Sequence, residues 1–171
     1  MKKIASSILL IVVLLALCSC TGNYTSIESG SSKNKEVSIK EITMVDNFEC
    51  QIKEINWYSP SDFDFDVIER EDGYEYLVIV LSEKNTTNET QNAPFTSILS
   101  ADGKQCVNTP ALSLYKKKYK INFGATLPDT AAEAYVIYKV PSGASSFKLQ
   151  ILSNGFGSAS DYIVFSRADI K

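Results

Sequence analysis

Apolar and polar residues alternate with a period of two along most of the chain after about residue 36. Such alternation places the apolar side chains on one face of a β-strand. The segment Tyr74–Leu81 differs because it is apolar almost throughout, which predicts a strand buried on both faces at its centre. The other predicted strands lie within Val37–Trp57 and at Phe95–Ser100, Leu112–Phe123, Ala134–Val140, Phe147–Leu152 and Tyr162–Phe165.

The alternation within Phe48–Trp57 changes phase part of the way along. Its apolar positions are even-numbered up to Ile52 and odd-numbered from Ile55. A phase change of one residue predicts a β-bulge between these two positions. The spacing of Phe48, Ile52 and Ile55 also fits a helical turn, which is the alternative.

Turn-forming residues separate the predicted strands. Asp-Gly and Pro-x-Gly sequences supply the backbone conformations that tight turns require. The predicted turn segments are Glu71–Gly73, Asn85–Asn92, Ala101–Gly103, Leu127–Asp129 and Pro141–Gly143. No capped, periodic helix longer than about three turns is visible. The pattern predicts an all-β, antiparallel β-sandwich over residues 36–171; the resemblance described below implies that this sandwich is immunoglobulin-like.

The N-terminus has the pattern of a secretory signal. Lysines at positions 2 and 3 precede Ile4–Leu17, which is apolar and too short to cross a bilayer. It ends in Leu17-Cys18-Ser19-Cys20, which resembles a bacterial lipobox, with an aliphatic residue three positions before an obligatory Cys and a small one directly before it. We therefore predict a lipoprotein signal peptide over residues 1–19.

The predicted lipid attachment site is Cys20. Cys18 is the rival acceptor, but Leu17 before it is too large for the position that a lipobox gives to a small residue. An ordinary cleaved signal with incidental cysteines is the other alternative. Two or three acyl chains hold a protein on a membrane essentially permanently. We predict a lipid-anchored protein that faces the extracytoplasmic side of the membrane, with a flexible tether over residues 20–35.

Three segments resemble the telokin-like, immunoglobulin-fold domain of bacterial lipoproteins. They are an apolar strand followed by Lys-Asn-Thr at Tyr74–Thr87, a strand and turn at Phe95–Gly103, and Leu127–Asp129 with the apolar strand Tyr135–Pro141. The resemblance covers roughly Val37–Leu152. Asp129 and Ala134 depart from the resemblance, because Gly is common in the family at both positions. The resemblance implies a β-sandwich on the cell exterior and carries no shared functional residues.

Composition excludes several kinds of function. The chain contains no His, which removes Ser-His-Asp and Cys-His catalysis and imidazole metal sites. The formal net charge of −3 disfavours nucleic-acid binding. We predict a non-catalytic interaction module without a cofactor, whose partner is a protein or an envelope component. A module for a small ligand or Ca²⁺ is the first alternative, and a hydrolase, disfavoured by the missing His, is the second.

The one stretch that suggests a metal alternates acidic and aromatic residues. Its carboxylates are Asp62, Asp64 and Asp66, and oxygen ligands suit Ca²⁺. An EF-hand loop would need Gly at position 67 and Glu at position 73, where the chain has Val and Gly. The alternative is a strand or loop with Phe63 and Phe65 buried and the carboxylates in solvent.

The basic segment Lys116–Lys120 has two interpretations. It could contact lipid headgroups or anionic wall polymers, or it could be a solvated loop or edge strand. The second is favoured because charged edges are common.

Cysteine and aromatic residues provide two further candidates. Cys50 and Cys106 either form a disulfide, as exported proteins often do, or are buried free thiols. Four aromatic residues either form a binding surface for a sugar or peptide or pack in the core. They are Trp57, Tyr58, Tyr115 and Tyr119.

Overall fold

The computed structural model describes residues 34–66, 68–94, 96–110, 113–116, 118–119, 125–153 and 158–171. Within these ranges the regular structure is β-strand, with a 3₁₀ turn at Pro60–Asp62 and another at Arg167–Asp169. The strands are β1 Glu36–Ser38, β2 Thr43–Val45, β3 Phe48–Trp57, β4 Tyr74–Asn85, β5 Gln91–Asn92, β6 Thr96–Ala101, β7 Lys104–Gln105, β8 Val107–Thr109, β9 Ala125–Thr126, β10 Ala131–Pro141, β11 Ser146–Leu152 and β12 Tyr162–Ser166.

Two five-stranded sheets form a β-sandwich, which confirms the predicted fold class. The first sheet has the order β2-β3-β4-β10-β8, and the second has the order β1-β12-β11-β6-β7. The short strands β5 and β9 form a separate ribbon. The described strand pairs are antiparallel except for β1 and β12, which run parallel, so the second sheet departs from a wholly antiparallel arrangement.

The main core lies between the two sheets. Leu77, Ile79 and Leu81 of β4 point into it and are almost completely buried. The second sheet contributes residues such as Leu149 and Ile163 to the same cluster. Apolar burial of this kind provides most of the stability of a sandwich.

A second core covers the outer face of the first sheet. The alternate residues of β4, including Val78 and Val80, point away from the main core and are also fully buried. The chain segments around Phe63 and Tyr115 pack over them. Central strand β4 is therefore buried on both faces, as its near-continuous apolar sequence predicted.

The predicted bulge in β3 is confirmed. Ile52 pairs with Leu81 and Glu54 pairs with Val80, so one residue of β3 has no counterpart in β4. The extra residue shifts the alternation and turns Ile55 into the main core. The alternative helical turn is not formed.

Residues with positive φ close the turns that the sequence indicated. Asp102 and Gly103, with φ of 46° and 77°, form a two-residue connection between the paired residues Ala101 and Lys104, and two positive φ angles are the signature of a type I′ hairpin. Asp129 also has a positive φ of 53°. This is a position where the resemblance expects Gly, and Asp is one of the few other residues that tolerate the left-handed region.

The predicted strand Leu112–Phe123 is wrong for the part of it that the structure describes. The amides of Lys118 and Tyr119 both donate to the carbonyl of Tyr115, and Lys116 has a φ of 49°, so the backbone turns tightly here. Leu112, Lys117 and residues 120–123 lie outside the described ranges. The apolar pattern that suggested a strand arises because tyrosines of this loop pack on the sheet.

The expectation that Phe65 is buried is also wrong. Phe63 is buried, whereas 57% of Phe65 is exposed. Phe63 forms a single bridge with Tyr115, and the chain leaves this pairing immediately afterwards. Without a continuing partner strand, the alternation of buried and exposed residues ends.

Candidate functional site

Aromatic rings dominate the second core. The Tyr115 ring lies 5.1 Å from Phe63, 6.0 Å from Tyr119 and 5.8 Å from Tyr135, centroid to centroid. Tyr58 continues the cluster towards solvent, 4.9 Å from Phe63. Aromatic pairs at these separations stabilise a fold beyond the area that they bury.

Polar groups of β3 fix the tyrosines of the loop. Asn56 donates to the Tyr115 hydroxyl over 2.7 Å, and the Tyr119 hydroxyl donates to Glu54 over 3.0 Å. Tyr115 and Tyr119 are both buried. Of the two interpretations given for them above, core packing is therefore the correct one.

Trp57 and Tyr58, in contrast, are half-buried and line an open pocket. Its volume is about 210 Å³, and its walls are Trp57, Tyr58, Arg70, Tyr74, Glu75 and Tyr76. The pairing of β3 with β4 creates this wall, because Trp57 lies opposite Leu77 and the Tyr58 amide donates to the Tyr76 carbonyl. Neighbouring strands thereby place several aromatic side chains around one cavity.

Two tyrosine hydroxyls hold the segment before Arg70 against the pocket. Tyr58 donates to the Asp66 carboxylate over 2.6 Å, and Tyr76 donates to the Glu69 carbonyl over 3.1 Å. Hydrogen bonds from the Tyr58 hydroxyl and the Ile68 amide lower the pKa of Asp66. These contacts position Arg70 at the pocket wall.

An ion pair holds Glu75, which also lines the pocket. Arg167 makes two hydrogen bonds to Glu75, of 2.5 and 2.8 Å, and its guanidinium lies 4.4 Å from the Trp57 ring centroid. The hydrogen bonds from Arg167 lower the pKa of Glu75 below its ordinary value. Trp57 is thus held in place by a cation on one ring face and by Phe147, whose ring is edge-on to it at 6.5 Å.

A second cation lies over Tyr74 at the rim. The Lys139 ammonium is 4.5 Å from the Tyr74 ring centroid and 2.8 Å from Glu71. Sequence reasoning selected Trp57 and Tyr58 but missed Arg70, Tyr74 and Glu75. No local sequence pattern links these three residues to Trp57 and Tyr58, because the pocket is formed by strand pairing and by contacts with the distant Arg167.

The three acidic candidates for a Ca²⁺ site do not come together around a common point. Asp66 accepts the Tyr58 hydrogen bond, while Asp62 is half-buried and Asp64 is exposed. Nowhere in the described ranges are three or more His, Cys, Asp or Glu side chains grouped to hold a metal ion.

Cys50 and Cys106 are buried free thiols in the structure. Cys50 pairs with Glu83, near the end of β4. Cys106 lines a cavity with Tyr138, and Tyr138 pairs with Leu77, near the start of β4. From Leu77 to Glu83 the strand rises by about 20 Å, while a disulfide needs Cα atoms within about 7 Å. Burial raises the pKa of both thiols, so they are protonated and weakly reactive at neutral pH.

The described lysines of the basic segment contact the second core. The Lys116 ammonium lies 3.4 Å from Glu54 and 5.0 Å from the Tyr115 ring centroid. The Lys118 ammonium lies 4.5 Å from the Tyr119 ring centroid. Lys117 and Lys120 are outside the described ranges, and the contact of this segment with lipid or wall polymers stays a prediction.

The predicted lipidation site, Cys20, its rival Cys18 and the predicted signal peptide and tether up to residue 33 lie outside the described ranges. Among the residues that are described, none belongs to a helix long and apolar enough to span a bilayer.

Comparisons with known proteins identify the fold. No family model matches the chain, and no curated protein matches it. Among solved structures it is similar to ycdA of Bacillus subtilis subsp. subtilis str. 168, a candidate lipoprotein, with a TM-score of 0.57 and 15% identity. The match covers 78% of this chain but only 40% of ycdA.

Two further solved structures are similar. The yjhA protein from Bacillus subtilis has a TM-score of 0.52 and 9% identity, with 78% of this chain and 99% of yjhA covered. An uncharacterized β-sandwich protein from Clostridium difficile 630 has a TM-score of 0.49 and 20% identity, with 79% and 95% covered. At such identities, the likeness to ycdA and yjhA establishes a shared fold and nothing finer.

Proposed function

We propose that the chain is an extracytoplasmic lipoprotein, anchored through a lipid on Cys20, whose sandwich is a non-catalytic module that binds a protein or an envelope component. The observation that carries this proposal is the sequence Leu17-Cys18-Ser19-Cys20 at the end of an apolar leader. A thioether to diacylglycerol requires a thiol, and Cys20 is the thiol that follows a small residue. Secretory signals end in small residues of this kind.

The fold supports the same proposal. A candidate lipoprotein, ycdA, shares the β-sandwich, and the sequence segments described above suggest a telokin-like, immunoglobulin-fold domain. We propose binding rather than catalysis because the chain has no His, the side chain that acid–base catalysis uses most often. Among the alternatives, the aromatic pocket favours a small-ligand module.

Labelling with palmitate tests the anchor. In cells fed labelled palmitate, the wild-type protein and Cys18→Ala are expected to incorporate the label, and Cys20→Ala is expected to lose at least nine-tenths of it, because a single thiol accepts the diacylglycerol. Cys18→Ala is a matched control, since it removes a neighbouring thiol of the same leader. Label on Cys20→Ala, or loss of label from Cys18→Ala, would refute attachment at Cys20.

A further inference from the structure

We propose that the pocket between Trp57 and Arg70 binds one neutral sugar ring, a pyranose unit that carries hydroxyl groups and no charge. This inference rests on the proposed binding function and names its ligand class. It follows from the size, the walls, the charge and the available hydrogen-bond donors of the pocket.

The size of the pocket limits the ligand to a single ring. Sites for drug-sized molecules usually have volumes of 300–1,000 Å³, whereas this pocket has about 210 Å³. It is open to solvent on one side, so a ring at the end or along the side of a larger polymer could enter. One sugar unit of an envelope glycan has suitable dimensions.

The walls suit a ring with apolar faces and a polar edge. Four of the six lining residues are aromatic, and aromatic rings pack against the C–H face of a sugar as they do against other apolar surfaces. The Tyr58 and Tyr76 hydroxyls are already engaged with Asp66 and Glu69. Their rings are consequently held still, which reduces the entropy lost on binding.

Arg70 provides the hydrogen-bond donors. It is exposed at the wall of the pocket, and in the portion of the chain that the structure describes no hydrogen bond or ion pair engages its guanidinium. Its charge attracts the Asp66 carboxylate, which leaves its N–H donors available. A guanidinium presents five N–H donors in one plane, which suits two adjacent hydroxyl oxygens. Glu75 also lines the pocket and offers carboxylate acceptors, although Arg167 and the Gly143 amide already donate to them.

The charge around the pocket disfavours an anionic ligand. Arg70 lies in the sequence Glu69-Arg70-Glu71-Asp72, with Asp66 four residues before it. The Lys139 ammonium forms an ion pair with one of these carboxylates, that of Glu71. A carboxylate or phosphate that approached Arg70 would therefore also meet several negative charges.

Two of the four aromatic rings at the pocket already carry a cation on one face. Arg167 covers a face of Trp57, and Lys139 covers a face of Tyr74. An ammonium ligand would compete with both cations and would also meet Arg70. A neutral ligand with hydroxyl groups avoids each of these conflicts.

The fluorescence of Trp57 tests the proposal directly, because it is the only Trp in the chain and it lines the pocket. The full chain is purified in a detergent without sugar and titrated with methyl glycosides of glucose, galactose and N-acetylglucosamine. We expect a saturable change with at least one of them and a dissociation constant on the order of 1 mM, as befits a ligand of about a dozen heavy atoms.

Two variants and two probe ligands complete the test. Arg70→Ala is expected to weaken binding at least tenfold without changing the melting temperature, and Lys104→Ala, an exposed cation on the other sheet, is expected to bind as the wild type does. Glucuronate and tetramethylammonium should bind more weakly than the neutral glycosides. If Arg70→Ala fails to fold, Tyr74→Ala replaces it with the same expectation.

Four results would overturn the sugar proposal. They are the absence of saturation up to 100 mM (roughly a hundred times the expected constant), unchanged binding by the pocket variant, tighter binding of glucuronate, and tighter binding of tetramethylammonium. None of these results would contradict the proposed lipid anchor, because palmitate labelling tests the anchor separately. Conversely, sugar binding by a protein that is not lipidated would refute the anchor alone.

Discussion

Replacing Tyr115 with Ala is expected to lower the free energy of unfolding by about 3–5 kcal/mol, the range for truncating a large buried aromatic residue. Tyr115 is completely buried although it lies in a loop. Its ring contacts Phe63, Tyr119 and Tyr135, so its removal would open a cavity in the second core. The Asn56 amide would also lose its 2.7 Å partner.

Urea denaturation of three variants separates these contributions. Tyr115→Phe keeps the ring and loses the hydrogen bond, and is expected to cost roughly 0.5–1.5 kcal/mol. The adjacent Leu114 is 38% exposed, so Leu114→Ala serves as a matched control with an expected effect within about 1 kcal/mol. If Tyr115→Ala lowered the free energy of unfolding by less than about 1 kcal/mol, the result would show that this loop does not pack into the second core.

The protein is expected to lose stability steeply above pH 10 because two tyrosines are buried in their neutral form. Burial raises the pKa of Tyr138 to about 12, although its hydrogen bond with Ser97 acts in the opposite direction. Burial likewise raises the pKa of Tyr135 to about 12. Both side chains are buried, and the ordinary pKa of Tyr is about 10.

The sign of the effect follows from proton linkage. Below pH 10 both tyrosines are protonated in the folded and the unfolded chain, so their contribution to stability is fully present. Between about pH 10 and 12 only the unfolded chain releases the protons, and stability falls by roughly 2–3 kcal/mol for each tyrosine.

Denaturation at pH 8 and pH 11.5 measures this loss. Tyr138→Phe is expected to be less stable than the wild type at pH 8 by roughly 0.5–1.5 kcal/mol, because Ser97 loses its partner. It should, however, lose less stability than the wild type between the two pH values, because the contribution of Tyr138 is absent while those of Tyr135 and the buried thiols remain. An equal loss in both proteins would contradict burial of the Tyr138 hydroxyl.

Much of the sandwich was predictable because a strand with one buried face has a period of two. The phase change between Ile52 and Ile55 located the bulge, and the apolar run Tyr74–Leu81 located the central strand. Asp102-Gly103 located a hairpin turn, because few residue pairs adopt two positive φ angles.

The second core was harder to predict because its parts are far apart in sequence. Tyr115 is buried by residues such as Phe63 and Tyr135. The sequence Tyr119–Phe123 that follows it alternates apolar and polar residues as a strand does. Phe65 shows the opposite error, because an alternating pattern buries a side chain only where a partner strand continues.

The candidate pocket was predictable only in part. The neighbouring aromatic residues Trp57 and Tyr58 were visible as a candidate surface. Arg70 and Glu75 join them through the pairing of β3 with β4 and through loop contacts, and Arg167 reaches Glu75 from 92 residues away. Local sequence patterns cannot indicate contacts between residues that are so far apart in the chain.

The most direct test of the account is the mass of the N-terminal peptide of the protein isolated from its membrane. We predict that this peptide begins at Cys20 and carries a diacylglycerol on the sulfur. A peptide that begins at Cys20 without lipid, or one that begins upstream of it, would contradict the account.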